Sequence, residues 1–265
     1  MKFLGIIPAR YASTRFPGKP LANLCGKPVI QRVYEQVQAS VDELTVATDD
    51  ERIVVAVQDF GGHAVLTRLV HHSGTDRCYE ACLIVNKPFD VIINIQGDEP
   101  FIQPEQIELL KSCFAETDTQ IATLVKPFDG NGNFEQTLLN PNTPKVVLNN
   151  QNEAMYFSRS IVPYIRETEH AAWLKTHTFY KHIGLYAFRS DVLKEITALP
   201  QSSLEIAESL EQLRWLQNGY KIKVAITQQE TLGIDTPEDL MLCKLKIENG
   251  ELQIRMDEEK LTTEN

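Results

Sequence analysis

Between Phe3 and Thr67 short apolar runs alternate with segments of helical period, and this alternation restricts the fold more than any other feature of the chain. Phe3 to Ile7, Leu44 to Thr48 and Ala64 to Thr67 have the length and composition of buried strands. Between them, Val29, Ile30, Val33 and Val37 fall on one face of a helix running from about Lys27. Ile53, Val54 and Val57 do the same for a helix from Asp50 to Phe60 that stops at Gly61-Gly62. Strands joined through helices pair in parallel, with right-handed crossovers. The expected fold is therefore α/β, with a three-layer, doubly wound, mostly parallel sheet. At 265 residues and 43% hydrophobic, the chain can bury a substantial core. It reads as a single domain over 1–249, with an inserted subregion at about 129–190 and a C-terminal tail at 250–265.

Open α/β sheets bind ligands at the carboxyl ends of their strands, and the first such end opens into Ile6 to Leu21, IIPARYASTRFPGKPL. Lys2, Arg10, Arg15, Lys19, Lys27 and Arg32 precede the first acid, Glu35, although the whole chain carries net charge -10. Arg10, Ser13, Arg15 and Lys19 fall in the strand-to-helix connection. The planar fork of Arg and the mobile point charge of Lys suit the phosphates of one nucleotide, and a triphosphate is the simplest such ligand. A solvated basic turn is the alternative that these residues alone leave open. The loop is neither a Walker A nor a G-x-G-x-x-G sequence, which argues against a P-loop kinase and a dinucleotide dehydrogenase.

The acidic balance argues against nucleic acid as a partner. Five cysteines, Cys25, Cys78, Cys82, Cys113 and Cys243, form no C-x-x-C pair. Cys78 and Cys82, one helical turn apart, read as two buried apolar residues. No apolar run approaches about 18 residues and no charged leader precedes the first strand. A reduced cytoplasmic enzyme without a membrane partner is expected.

Further along, HHSGTDR enters a helix over Thr75 to Val85 capped by Thr75 or Ser73, with His71 and His72 exposed and inert. Asp90 to Ile95 reads as a central strand, broken by Gln96-Gly97-Asp98-Glu99-Pro100. A carboxylate at that carboxyl end, Asp98 first, suits a metal in the crevice; a plain Gly97-Asp98 turn is the alternative. Glu99 either faces away or caps the helix Pro104 to Ala115. Gln120 to Val125 returns to strand and Asp129 to Asn142 is an exposed excursion. Lys145 to Leu148 and Ala154 to Ser158 form a hairpin.

His182 and Tyr186 share strand parity and hence one face, with core packing for Tyr186 and a structural role for His182 as the alternative. Phe157, Trp173, Phe179 and Trp215 read as core or interface. Ser203 to Asn218 reads as one helix with Leu204, Ala207, Leu210 and Leu213 inward and Glu208, Glu211 and Gln212 outward. Gly219 ends it, and Lys221 to Ile226 is a strand. Thr236-Pro237 opens a helix reaching about Glu248, with Asp239 reaching back to the cap and Asp235 left over for a metal.

The segments PARYASTRFPGKPL, HHSGTDR, NIQGDEPFI, AMYFSR, HIGLYAF, LEQLR and GIDTPED occur in this order between residue 3 and about residue 245. Together they resemble the motifs of the sugar-activating cytidylyltransferases, and within these the branch that acts on 3-deoxy-manno-octulosonate (Kdo). The resemblance implies a nucleotide-diphospho-sugar transferase-like fold whose inserted subregion serves sugar binding and dimerisation. It implies transfer of CMP from CTP to the anomeric hydroxyl of Kdo, with pyrophosphate released, for lipopolysaccharide synthesis. It also implies Mg²⁺ held by Asp98 and Asp235, and a homodimer. CTP would meet Pro8, Ala9, Arg10, Ser13, Arg15, Lys19, Ser73, Gly74 and Arg77, and Kdo would meet Gln96, Arg159, His182, Tyr186, Glu211 and Gln212. Arg10, Lys19, Asp98 and Asp235 would be catalytic. The competing readings are a cytidylyltransferase for 8-amino-Kdo or sialic acid, and a nucleotide-binding module without catalysis. Lys19, Asp98 and Asp235 occurring together weighs against the last.

Overall fold

The structure, a computed structural model, describes residues 1–71, 73–130 and 137–252. His72, residues 131–136 of the expected excursion at 129–142, and residues 253–265 of the tail at 250–265 lie outside the described residues. In chain order the strands are β1 (Phe3–Ala9), β2 (Asn23–Leu24), β3 (Lys27–Pro28), β4 (Glu43–Thr48), β5 (Ala64–Leu66), β6 (Val91–Asn94), β7 (Ile121–Pro127), β8 (Lys145–Leu148), β9 (Ala154–Ser158), β10 (Tyr180–Arg189) and β11 (Ile222–Ile226). The helices are α1 (Val29–Val37), α2 (Glu51–Asp59), α3 (Gly74–Val85), α4 (Pro104–Ser112), α5 (Trp173–Thr176), α6 (Ser190–Thr197), α7 (Ser203–Glu208), α8 (Gln212–Gln217) and α9 (Pro237–Glu248). This is an α/β protein on a mixed, mostly parallel sheet with flanking helices.

The chain divides into two compact units. The first comprises Leu4–Asn86, Ile95–Pro104 and Thr231–Asn265; the second comprises Met1–Phe3, Lys87–Asn94 and Glu105–Glu230. The segment 129–190 falls wholly within the second unit, which extends well beyond it.

In the first unit β1, β4 and β5 lie side by side in parallel, with Ile6 opposite Thr45 and Thr48 opposite Leu66. The apolar faces anticipated for the helices close over them, Ile30, Val33, Val37, Ile53 and Val57 being fully buried beside Ile6, Ile7 and Val46, although Val54 is only partly buried. Burial on this scale is the main stabilising term of the unit, at about 25 cal/mol per Å² of apolar surface removed from water. Lys27 and Pro28 pair with Asn23 and Leu24 in a small hairpin, so α1 begins at Val29 and not at Lys27. A second cluster, Leu24, Val29, Phe101, Ile234, Leu240 and Cys243, packs the foot of α9 against that hairpin. The Thr236 hydroxyl accepts from the Asp239 amide at 3.2 Å while the Asp239 carboxylate accepts from the Thr236 amide at 2.8 Å, a reciprocal cap with Pro237 at the first helical position.

The second unit departs further from simple βα alternation. The ten-residue β10 runs antiparallel to both β6 and β7, whereas β11 is parallel to β7. The hairpin of β8 and β9 extends this sheet from β10. Between Ile183 and Tyr186 the β10–β7 register shifts, Ile183 facing Leu124 and Tyr186 facing Thr123, so that two extra residues are accommodated and the parity of His182 and Tyr186 survives. Phe157, Phe188, Leu193, Leu213 and Trp215 are buried in its core, and Leu138, Trp173 and Phe179 form a satellite cluster.

The single helix expected over Ser203 to Asn218 is two helices. The chain leaves α7 through Ser209 in the left-handed conformation (φ 50°, ψ 48°) and α8 starts at Gln212. The expected stripe breaks with it: Leu210 and Leu213 are buried, but Ala207 is exposed and Glu205 is buried instead.

Candidate active site

In the first unit β1 ends in Pro8 and Ala9, and the basic loop turns back on itself at once. The amides of Ser13 and Gly18 both donate to the carbonyl of Tyr11, at 3.0 and 2.9 Å. Gly18 has φ +74°, and a Cβ there would lie 3.1 Å from the Tyr11 ring, so conformation and space both call for glycine. The Arg52 guanidinium stacks over the other part of this arrangement, 3.4 Å from the Tyr11 ring centroid. Lys19 then begins a single 3₁₀ turn.

Beside this loop stands the start of α3. Ser73 caps the helix, its hydroxyl accepting from the Asp76 amide at 3.1 Å, so of the two candidate caps it is Ser73 that serves. The unpaired amides of a helix start favour an anion. One turn further in, Arg77 is 1% exposed and donates to the Thr67 hydroxyl at 2.5 Å and to Asp49 at 2.7 Å. His71, expected to be exposed, has its side chain covered and paired with Glu80, which also accepts from Arg68.

The third wall is the segment 95–98. Gly97 packs against β1 so closely that a Cβ would meet the Pro8 carbonyl at 2.9 Å, which keeps Gln96 and Asp98 at the mouth of the strand end. Ile234 donates to the Asp98 carbonyl at 2.8 Å and so brings Asp235 alongside. Lys19 bridges the two carboxylates: its ammonium is 2.5 Å from Asp98 and 3.4 Å from Asp235, while Arg15 reaches Asp235 at 2.9 Å. The Glu99 carboxyl is pushed up to about 8, by desolvation first and then by the charges of Asp98 and Asp235.

These walls enclose a cleft of about 440 Å³. Pro8, Ala9, Arg10, Ser13, Arg15, Lys19, Ser73, Gly74, Arg77, Gln96, Asp98 and Asp235 all line it, together with Ala12, Thr14, Pro20 and Gly97. A nearby acid and base pattern could have revealed none of the supporting groups Tyr11, Arg52, Asp49 and Thr67, because their partners are remote in the chain.

The remaining expected sugar residues lie in the second unit. His182 and Tyr186 have ring centroids 5.1 Å apart, and Trp215 meets Tyr186 edge-on at 5.1 Å. The Thr123 hydroxyl donates to the Leu185 carbonyl at 2.8 Å and therefore accepts from His182 Nε2–H at 3.0 Å. Desolvation holds the imidazole pKa down to about 3, so it is neutral and its Nδ1 is an acceptor. The Tyr186 phenol is pushed well up by burial and by the nearby Glu211 charge, and the Thr123 hydroxyl beside it is already committed. Gln212 is buried. Arg159 is largely committed to the main chain: three of its side-chain N–H bonds run to backbone carbonyls, those of Glu208 at 2.6 Å, Pro141 at 2.8 Å and Ser209 at 3.1 Å.

A basic loop, a helix start and paired carboxylates at the carboxyl end of a parallel strand define a nucleotidyltransferase-type centre. A family model described as cytidylyltransferase matches residues 4–222. The 3-deoxy-manno-octulosonate cytidylyltransferase of Parabacteroides distasonis is 70% identical over 240 residues, covering 91% of this chain and 96% of that one. Its namesake in Bacteroides thetaiotaomicron is 68% identical over the same coverage. Among solved structures, CMP:2-keto-3-deoxy-manno-octonic acid synthetase complexed with CTP superposes with TM-score 0.84 at 43% identity, covering 94% of this chain and 100% of that one. The chain belongs to the cytidylyltransferase family, in its 3-deoxy-manno-octulosonate branch.

Proposed function

We infer that this enzyme transfers CMP from CTP to the anomeric hydroxyl of Kdo, giving CMP-Kdo and pyrophosphate. The observation that carries the reading is the convergence in one cleft of every residue expected to meet CTP, in a chain 70% identical to a Kdo cytidylyltransferase. Attack of a hydroxyl on the α-phosphorus asks the protein for alignment and charge neutralisation, not for a covalent intermediate. Arg10, Arg15 and Lys19 neutralise the triphosphate and the departing pyrophosphate, and the Ser73-Gly74 helix start adds backbone donors. Arg77, pinned by Asp49 and Thr67, shapes the nucleotide wall from behind.

Asp98 and Asp235 fit a divalent cation. Both carboxylates already converge on one positive charge, the Lys19 ammonium, and two carboxylates plus substrate phosphates are the usual complement for Mg²⁺. When bound, Mg²⁺ would polarise phosphate oxygens and favour ionisation of the attacking hydroxyl. On the sugar side, His182 Nδ1 accepts from a hydroxyl, the Tyr186 phenol and the Gln212 amide donate, and Glu211 accepts. The two N–H groups that Arg159 has left are available to the Kdo carboxylate.

A homodimer is part of the same reading. Among the described residues no helix is long and apolar enough to cross a membrane. A cytoplasmic location and a place in lipopolysaccharide synthesis are part of the same reading. Pyrophosphate release from CTP, measured with Kdo, 8-amino-Kdo and sialic acid offered separately, tests the acceptor. Kdo should give the highest kcat/KM. A preference for sialic acid would overturn the assignment of His182, Tyr186, Glu211 and Gln212.

A further inference from the structure

We propose that Glu208, which makes no contact expected of a sugar ligand, is a positioning residue for sugar selection. It holds open the break between α7 and α8 from which Glu211 and Gln212 emerge. The proposal rests on the reading of those two residues as sugar-binding.

The sequence from Ser203 to Asn218 contains neither Pro nor Gly, so nothing local requires a break. Continuing the helix would commit the Glu208 carbonyl to the amide of residue 212. Instead that carbonyl accepts from Arg159 Nε at 2.6 Å, and the next one, Ser209, accepts from Arg159 Nη2 at 3.1 Å. The guanidinium thus satisfies the last carbonyls of α7 in place of another turn of helix. Ser209 takes the left-handed conformation, Leu210 turns into the core, and the chain restarts as α8 at Gln212.

The guanidinium is aimed by Glu208 itself. Its carboxylate accepts from the Ser158 hydroxyl at 2.6 Å and from the Arg159 amide at 2.8 Å, so side chain and main chain of one residue grip the end of β9 from both sides. Beneath them lies Lys145, fully buried, donating to the carbonyls of Arg159 at 2.9 Å and Asn140 at 2.8 Å. Burial lowers the Lys145 pKa and the Glu208 charge opposes that effect, which makes Glu208 the counter-ion of a cation the fold cannot expose. Removing Glu208 therefore loosens Arg159 and with it the placement of Glu211, whose charge acts on the Tyr186 phenol. The α7–α8 pair has a separate tie, Glu205 to Arg214 through two hydrogen bonds of 2.8 and 2.5 Å, so the helices themselves should persist.

The test compares Glu208→Ala and Glu208→Gln with Glu211→Gln and Gln212→Ala in steady-state kinetics, varying Kdo and CTP in turn. Glu208→Ala should raise the KM for Kdo about tenfold or more with the KM for CTP unchanged within twofold. Glu208→Gln, which keeps the shape and one acceptor oxygen, should recover part of the loss and serves alone if the Ala variant does not fold. Equal increases in both KM values, or no increase for Kdo, would overturn the positioning role. If Glu211→Gln and Gln212→Ala raise the KM for Kdo but the Glu208 variants do not, this inference alone falls. If Glu211→Gln and Gln212→Ala leave it unchanged, the sugar-site reading falls with it.

Discussion

Replacing Lys19 with Met should make the nucleotide-free protein bind a divalent cation more tightly, although it should also cripple turnover. In the free protein the Lys19 ammonium sits 2.5 Å from Asp98 and 3.4 Å from Asp235, where it neutralises the charge a metal would otherwise meet. At these separations each pair attracts by on the order of 5 kcal/mol with an effective dielectric of about 20. Much of this is returned to solvent, because the Asp98 and Asp235 side chains are 29% and 49% exposed, leaving a net of about 1–3 kcal/mol. That corresponds to a gain of roughly five- to a hundredfold in cation affinity. Arg15 still faces Asp235 in the variant, so the gain should come chiefly through Asp98. The assay is titration of Mn²⁺ against each protein, reading free aquo-Mn²⁺ by electron paramagnetic resonance. Equal or weaker binding by Lys19→Met, or a gain that survives the further change Asp98→Asn, would refute the view that Lys19 occupies the cation position.

Three further predictions follow from the geometry. Asp98→Asn and Asp235→Asn should each lose most turnover with melting temperatures near the parent, and near-normal turnover in either would remove that residue from the catalytic cluster. Asp49→Ala leaves the Arg77 charge buried without its carboxylate, so it should cost about 3 kcal/mol in urea unfolding and raise the KM for CTP more than that for Kdo; an unchanged midpoint would contradict the pairing. Burial disfavours ionised Glu205, but Arg214 and the Ser202 amide outweigh it and hold the carboxyl below its ordinary 4.5. The contribution of a depressed carboxyl is complete above its unfolded pKa and fades as pH falls through the folded one. The stability gap between the parent and Glu205→Gln should therefore be full at neutral pH and shrink progressively below about pH 4.5; a gap independent of pH would exclude the ion pair as its source.

The parts of the fold legible in the sequence are those set by neighbouring residues. The β8–β9 hairpin, the Thr236–Asp239 cap and the apolar faces of α1 and α2 depend on spacings of two to four residues, and each appears where the pattern puts it. The basic loop and Asp98 were legible for a related reason: strand ends of a parallel sheet share an edge, so these two meet once the sheet is assumed, whereas Ser73-Gly74 was brought to the site by the family resemblance. What the pattern could not carry is contact between remote segments. The break at Ser209 is enforced by Arg159, fifty positions away, and so Glu208 looks like an ordinary outward acid until β9 is laid beside it. Arg77 reads as a free ligand cation because Asp49 and Thr67 are supplied by other strand ends. The covered position of His71 depends in the same way on Glu80, across the start of α3.

The most direct test of the central claim is mass spectrometry of the products formed from CTP and Kdo in the presence of Mg²⁺. The account predicts CMP-Kdo and pyrophosphate in equal amounts, with EDTA abolishing both. Formation of CDP and phosphate, or recovery of both substrates unchanged from folded protein, would contradict it.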